Sequence, residues 1–87
     1  ININKVTVFP NPTMGESWLL FTADSNEETE VSVWSAQGKL ISTSRLKIYI
    51  GENQFALPDL SGNPVGVYFI KIKLNGELVS KKVFLIR

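Results

Sequence analysis

Residues 66–87 run Gly66-Val-Tyr-Phe-Ile-Lys-Ile-Lys-Leu74, then Asn75-Gly76, then Glu77-Leu-Val-Ser-Lys-Lys-Val-Phe-Leu-Ile-Arg87. Asn-Gly between two apolar-rich runs predicts a β-hairpin closed by a two-residue type I′ turn, because both residues tolerate positive φ. Pairing outward from that turn sets Lys73 opposite Leu78, Ile72 opposite Val79, Ile70 opposite Lys81 and Tyr68 opposite Val83. Alternation then puts Tyr68, Ile70, Ile72, Leu74, Val79, Val83 and Leu85 on one face, which reads as core. The other face carries Lys71, Lys73, Ser80 and Lys82 along its middle. Phe69, Phe84 and Ile86 make its outer end apolar enough to require a cover. Lys81 is out of place on the apolar face. Either its stem snorkels to the rim, or a bulge shifts the register locally.

Outward from this hairpin the chain continues to read as short strands and turns. Lys5 to Phe9 alternates and stops at Pro10-Asn11-Pro12, where two prolines remove two ladder donors. Glu16 to Thr22 is a second strand. Asp24 to Glu28 forms a polar turn, and Thr29 to Ser35 follows with Val31 and Val33 on one side and Trp34 on the other. Gln37-Gly38 turns the chain into Lys39 to Ser44. Arg45 to Ile50 sets Leu46, Ile48 and Ile50 against Arg45, Lys47 and Tyr49, and Gly51 to Asn53 breaks it. Gln54 to Leu57 is short, and Asp59 to Pro64 is a loop. No segment holds a helical period over three turns. Seven or eight strands at roughly ten-residue spacing predict an all-β fold, an antiparallel immunoglobulin-like β-sandwich of about seven strands. A small barrel is the alternative. The long hairpin, with one strongly apolar face to lay on a second sheet, favours the sandwich.

With 87 residues, 44% of them hydrophobic, the chain reads as one small folded domain. It has no Cys and no His, so neither disulfides nor the usual zinc ligands brace it. Nine Lys and Arg against eight Asp and Glu give a net charge of +1, which sets up no field to attract nucleic acid. The charge is uneven, however. Asp24, Glu27, Glu28 and Glu30 gather in the first half, and Lys71, Lys73, Lys81, Lys82 and Arg87 in the last quarter. The chain begins Ile-Asn-Ile without Met and reads as an excised or processed piece of a longer polypeptide, residues 1–87 forming a single domain.

The residues offer little to catalysis. Without His or Cys, a Ser nucleophile would need a Lys or carboxylate base, and no Ser stands in a nucleophile-elbow or Ser-x-x-Lys context. Glu27-Glu28 reads as a solvated turn rather than a working carboxylate pair. Asp59 with the Ser61 to Asn63 carbonyls is a candidate calcium site, a weak one because it has a single carboxylate. Gly62 and Gly66 lack a phosphate-loop pattern. We expect no enzyme, no metal and no cofactor. Trp18, Trp34 and Tyr49 are aromatic candidates for a sugar platform, but such residues in a short sandwich pack on sheets more often than they bind ligand. Lys71, Lys73 and Lys82 are candidates for a basic stripe that binds anionic lipid or polysaccharide, but a lysine-lined face or edge is equally a protection against edge-to-edge aggregation.

Three patches in order are then informative together: Val8-Phe9-Pro10-Asn11-Pro12-Thr13, Gly66-Val67-Tyr68-Phe69-Ile70-Lys71-Ile72, and Lys81-Lys82-Val83. They resemble the C-terminal sorting domain of the type IX secretion system, type A, found on cargo proteins of some Gram-negative bacteria. Val31-Ser-Val-Trp-Ser-Ala-Gln-Gly38-Lys39 and Gly51-Glu-Asn-Gln-Phe-Ala-Leu-Pro-Asp-Leu60 extend the likeness over nearly the whole chain.

The resemblance implies a non-catalytic secretion signal. Such a domain is read in the periplasm by an outer-membrane translocon. A sortase-like peptidase then removes it as the cargo is anchored at the cell surface or released. It implies recognition residues at Gly66, Tyr68, Lys81, Lys82 and Val83, with Pro10, Asn11, Pro12 and Gly38 as shared signatures of structural origin. Two other readings stand beside it: an immunoglobulin-like spacer or assembly module of a secreted protein, and a carbohydrate-binding adhesion module. A sorting signal must end its parent polypeptide, whereas a spacer can lie anywhere; a sugar site would need Trp18 and Trp34 exposed side by side. The exposed hairpin is also compatible with a weak dimer through edge strands.

Overall fold

A computed structural model describes residues 6–87, so the expected strand position of Lys5 lies outside the described residues. Seven strands follow in chain order: β1 (Val6–Phe9), β2 (Trp18–Ala23), β3 (Glu27–Ser35), β4 (Leu40–Ile48), β5 (Gly51–Ala56), β6 (Gly66–Leu74) and β7 (Glu77–Leu85). They form two antiparallel sheets, β1-β2-β5 and β4-β3-β6-β7. Two separate sheets make a sandwich, and the barrel alternative falls away.

Alternation selects the buried faces. Val6, Val8, Leu19, Phe21 and Ala23 from the smaller sheet meet Val31, Val33, Ile48, Tyr68, Ile70, Ile72, Leu74, Val83 and Leu85 from the larger one. The hairpin register is the one read from the Asn-Gly turn, with Lys73 paired to Leu78, Ile72 to Val79, Ile70 to Lys81 and Tyr68 to Val83. Asn75 and Gly76 both hold positive φ, 51° and 78°, as a type I′ turn requires. Pairing runs from Gly66–Leu85 to Leu74–Glu77 without a shift, so there is no bulge at Lys81.

The middle of the chain departs from the reading above in three ways. Leu40 to Ile48 is a single strand rather than two segments meeting at Ser44-Arg45. Pairing with β3 is unbroken from Ile48 to Ser42, which carries the strand through the small polar residues Ser44 and Ser42, and the register shifts only beyond them, between Val33 and Trp34. Glu27 and Glu28 belong to β3, opposite Ile48 and Lys47, because the same ladder reaches back past Thr29. Gly51 to Asn53 does not break the chain but opens β5, pairing with Ala23 to Phe21. The actual corner lies one step earlier, at Tyr49-Ile50, where the chain leaves one sheet for the other. Asn53 holds that corner, its Oδ1 accepting the Tyr49 N–H at 3.1 Å while its Nδ2 donates to the Tyr49 carbonyl at 2.8 Å. Asn26 Oδ1 accepts the Ile50 N–H at 2.9 Å. Ile50 is therefore exposed rather than part of an apolar face.

One end of the sandwich is plugged by Leu57 and Leu60, both buried. The Leu57 N–H donates to the Ser17 carbonyl and the Leu60 N–H to the Gly15 carbonyl, each at 3.0 Å, which ties the loop after β5 to the loop before β2. The approach is tight at Gly15, where a Cβ would stand 2.6 Å from Asp59 Oδ1.

Candidate functional site

The last strand and the segment after β1 form one unit. Beyond Phe9 the chain leaves the smaller sheet and runs along the free edge of β7, with Thr13 bridging Leu85 in parallel. The prolines at 10 and 12 have no N–H to offer that edge, and the peptide bonds preceding both are cis. The Asn11 side chain stands in for the backbone. Its Nδ2 donates to the Lys82 carbonyl and its Oδ1 accepts the Phe84 N–H, both at 2.9 Å. Thr13 continues the ladder: its N–H donates to the Phe84 carbonyl and its carbonyl accepts the Ile86 N–H, both at 2.8 Å.

The five residues carried over as recognition positions divide into two groups. Tyr68 and Val83 are cross-strand partners inside the core, 4% and 0% exposed. The Tyr68 hydroxyl donates to the Pro64 carbonyl at 2.6 Å. Gly66 opens β6 opposite Leu85 at φ +145°, with no atom within 4 Å of where a Cβ would stand. These three shape the hairpin. Lys81 and Lys82 expose their side chains, on opposite faces of β7. Lys81 points to the core side, yet β7 is the edge of its sheet, so the ammonium reaches water past the rim. Snorkelling, and not a bulge, is the outcome.

The structural signatures have local reasons. Gly38 sits at φ +87° in the turn between β3 and β4, where its N–H donates to the Ser35 carbonyl at 3.0 Å. Pro10 and Pro12 flank the amide that fastens β7.

The other candidates do not assemble. Trp18 lies on the outer face of the smaller sheet and Trp34 on the outer face of the larger one, so the two indoles are not neighbours. Trp34 is occupied locally: its Nε1 donates to Ser32 Oγ at 2.8 Å, and the Lys71 ammonium lies 5.0 Å from its ring centre. Tyr49 is exposed at the β4–β5 corner. Glu27 and Glu28 project differently. Glu27 accepts the Asn75 N–H at 3.2 Å, whereas Glu28 pairs with Arg45 at 3.4 Å on the outer face. At the apolar end of that face Phe84 and Ile86 stay 44% and 46% exposed among the described residues.

Asp59 accepts the Ser61 N–H at 2.9 Å, and the Ser61 and Asn63 carbonyls accept from the Arg87 guanidinium at 3.3 and 2.7 Å. The chain's own cation takes those oxygens. The residues after β7 are therefore fastened rather than a loose tail. Sequence reasoning noted Thr13 in a motif and Arg87 in a charge cluster but gave neither these two nor Gly15 a structural role. Only the Asp-x-Ser turn beside Gly15 left a local trace, because their partners lie far along the chain.

A scan against protein families matches residues 7–86 to the secretion system C-terminal sorting domain. The chain belongs to that family. The sorting domain is a signal of type IX secretion, which implies recognition by secretion machinery and export to the cell surface or beyond. Sorting domains are in general non-catalytic. Among curated proteins none matches the chain. Among solved structures, the GH3 β-glucosidase of Bifidobacterium adolescentis superposes on the sorting domain with a TM-score of 0.55 and 12% identity. The match covers 94% of this chain and 16% of that one. It is a likeness of fold.

Proposed function

We propose that residues 1–87 act as a single C-terminal address label. In this reading an outer-membrane translocon reads the β7 edge in the periplasm, passes the upstream cargo to the surface, and a sortase-like peptidase removes the label during attachment or release. The supporting observation is the division of the hairpin residues: Tyr68 and Val83 are buried, while Lys81 and Lys82 present their ammonium groups on the two sides of one edge strand. Asn11, Thr13 and Arg87 hold that strand and its last residues in place. With the backbone of β7 already fastened, a receptor has only the lysine side chains to order, which lowers the cost of binding.

The test fuses residues 1–87 to a periplasmic reporter in a host possessing the system. The double variant Lys81→Ala, Lys82→Ala should abolish surface delivery while its thermal midpoint stays near that of the unaltered domain. Undiminished delivery by the double variant would refute the lysine reading. A cargo band that keeps the molecular mass of the uncleaved fusion at the surface would remove the peptidase from the scheme.

A further inference from the structure

The edge of β7 is only half covered. Because the Lys82 carbonyl and both backbone groups of Phe84 take partners outside the hairpin, even-numbered residues of β7 point their N–H and C=O away from β6. Leu78 and Ser80 follow the same alternation in the unbroken register. Asn11 and Thr13 cover the edge from Lys82 to Ile86, leaving the Leu78 and Ser80 groups open among the described residues.

We propose that this open stretch pairs antiparallel with the same stretch of a second copy of the chain, about a two-fold axis through Val79. Leu78 of each copy then faces Ser80 of the other, and each such pair exchanges both N–H···O bonds. Val79, half-buried at the rim of the core, meets Val79. Lys81 of each copy faces Glu77 of the other, so both ends of the ladder carry opposite charges. The ladder stops where Asn11 already holds the Lys82 carbonyl.

Charge favours this edge over the other edge of the same sheet. β4 carries Arg45 and Lys47 and no acidic residue, so a second copy there brings cation towards cation. Five residues of ladder bury much less than the roughly 1,200 Å² of a stable interface, so the dimer is weak and forms at high concentration. The inference does not rest on the export reading, but it uses the same edge: a dimer paired here would cover Lys81, which that reading gives to the translocon.

Sedimentation velocity across the micromolar to millimolar range should show monomer passing to dimer, and the Leu78 and Ser80 amide resonances should shift with concentration. Glu77→Lys alone and Lys81→Glu alone should each weaken association about tenfold or more, since two attractive contacts become repulsive. An equimolar mixture of the two variants should restore it, because each supplies the charge the other needs. Ser80→Pro, with its nitrogen on the outer side of an edge strand, should keep the fold and abolish pairing. A chain that stays monomeric throughout would overturn the proposal. So would a dimer that survives Ser80→Pro, or a variant mixture that fails to associate.

Discussion

The side-chain oxygen of Asn11 accepts the backbone N–H of Phe84 at 2.9 Å across 73 positions of sequence, while its amide nitrogen donates to Lys82 on the same strand edge. One side chain between two prolines thereby performs the hydrogen bonding of a strand residue. It joins the chain's first strand to its last.

Replacing Asn11 with Ala should therefore cost about 1 to 2 kcal/mol, the net worth of two partly solvated hydrogen bonds. The loss is local. Hydrogen exchange should accelerate at the Phe84 amide well before the Ile86 amide, which Thr13 still accepts. Uniform acceleration along β7 would show that Asn11 does not act as a local clasp.

Val83 and Lys82 are neighbours with opposite energetic roles. Val83→Ala leaves a void at a fully buried site and should cost about 1 to 3 kcal/mol. Lys82→Ala touches only an exposed side chain and should stay within about 0.5 kcal/mol. Urea denaturation of the two variants checks the contrast, which also decides whether an export defect at either position reports recognition or folding.

The Tyr68 hydroxyl contributes through a single bond to Pro64 at the foot of β6. Tyr68→Phe preserves the ring and leaves that carbonyl without its donor, for a loss of about 1 kcal/mol. An unchanged denaturation midpoint would mean that water replaces the hydroxyl without loss.

Gly15 and Gly38 both hold positive φ but differ in surroundings. At Gly38 a Cβ meets open space, so Gly38→Ala should cost about 1 kcal/mol of backbone strain. At Gly15 the same methyl strikes Asp59 and Ser61, and Gly15→Ala should cost about 2 kcal/mol or more. Equal costs in thermal unfolding would remove the close approach as a cause.

Local chemistry made the terminal hairpin legible in advance. Asn75-Gly76 selects its turn, the turn sets the register, and period-two alternation then sorts every side chain from Tyr68 to Leu85. β4 was harder to read because Ser42 and Ser44 face inward at a sheet edge, where small polar residues interrupt the apolar pattern without ending the strand. β5 was read late because Gly51, with its φ of +103°, lies inside the pairing rather than ahead of it.

The amino-acid order alone determined the all-β class, the inward faces of most strands and the motifs that mark a sorting domain, because each depends on residues a few positions apart. Tertiary structure decided that Asn11 clasps β7, that Arg87 is tied to the Ser61–Asn63 loop, that Gly15 admits no side chain, and that Lys81 reaches water from the core side. Those outcomes depend on which distant segment lies alongside, and a one-dimensional pattern does not carry that distance.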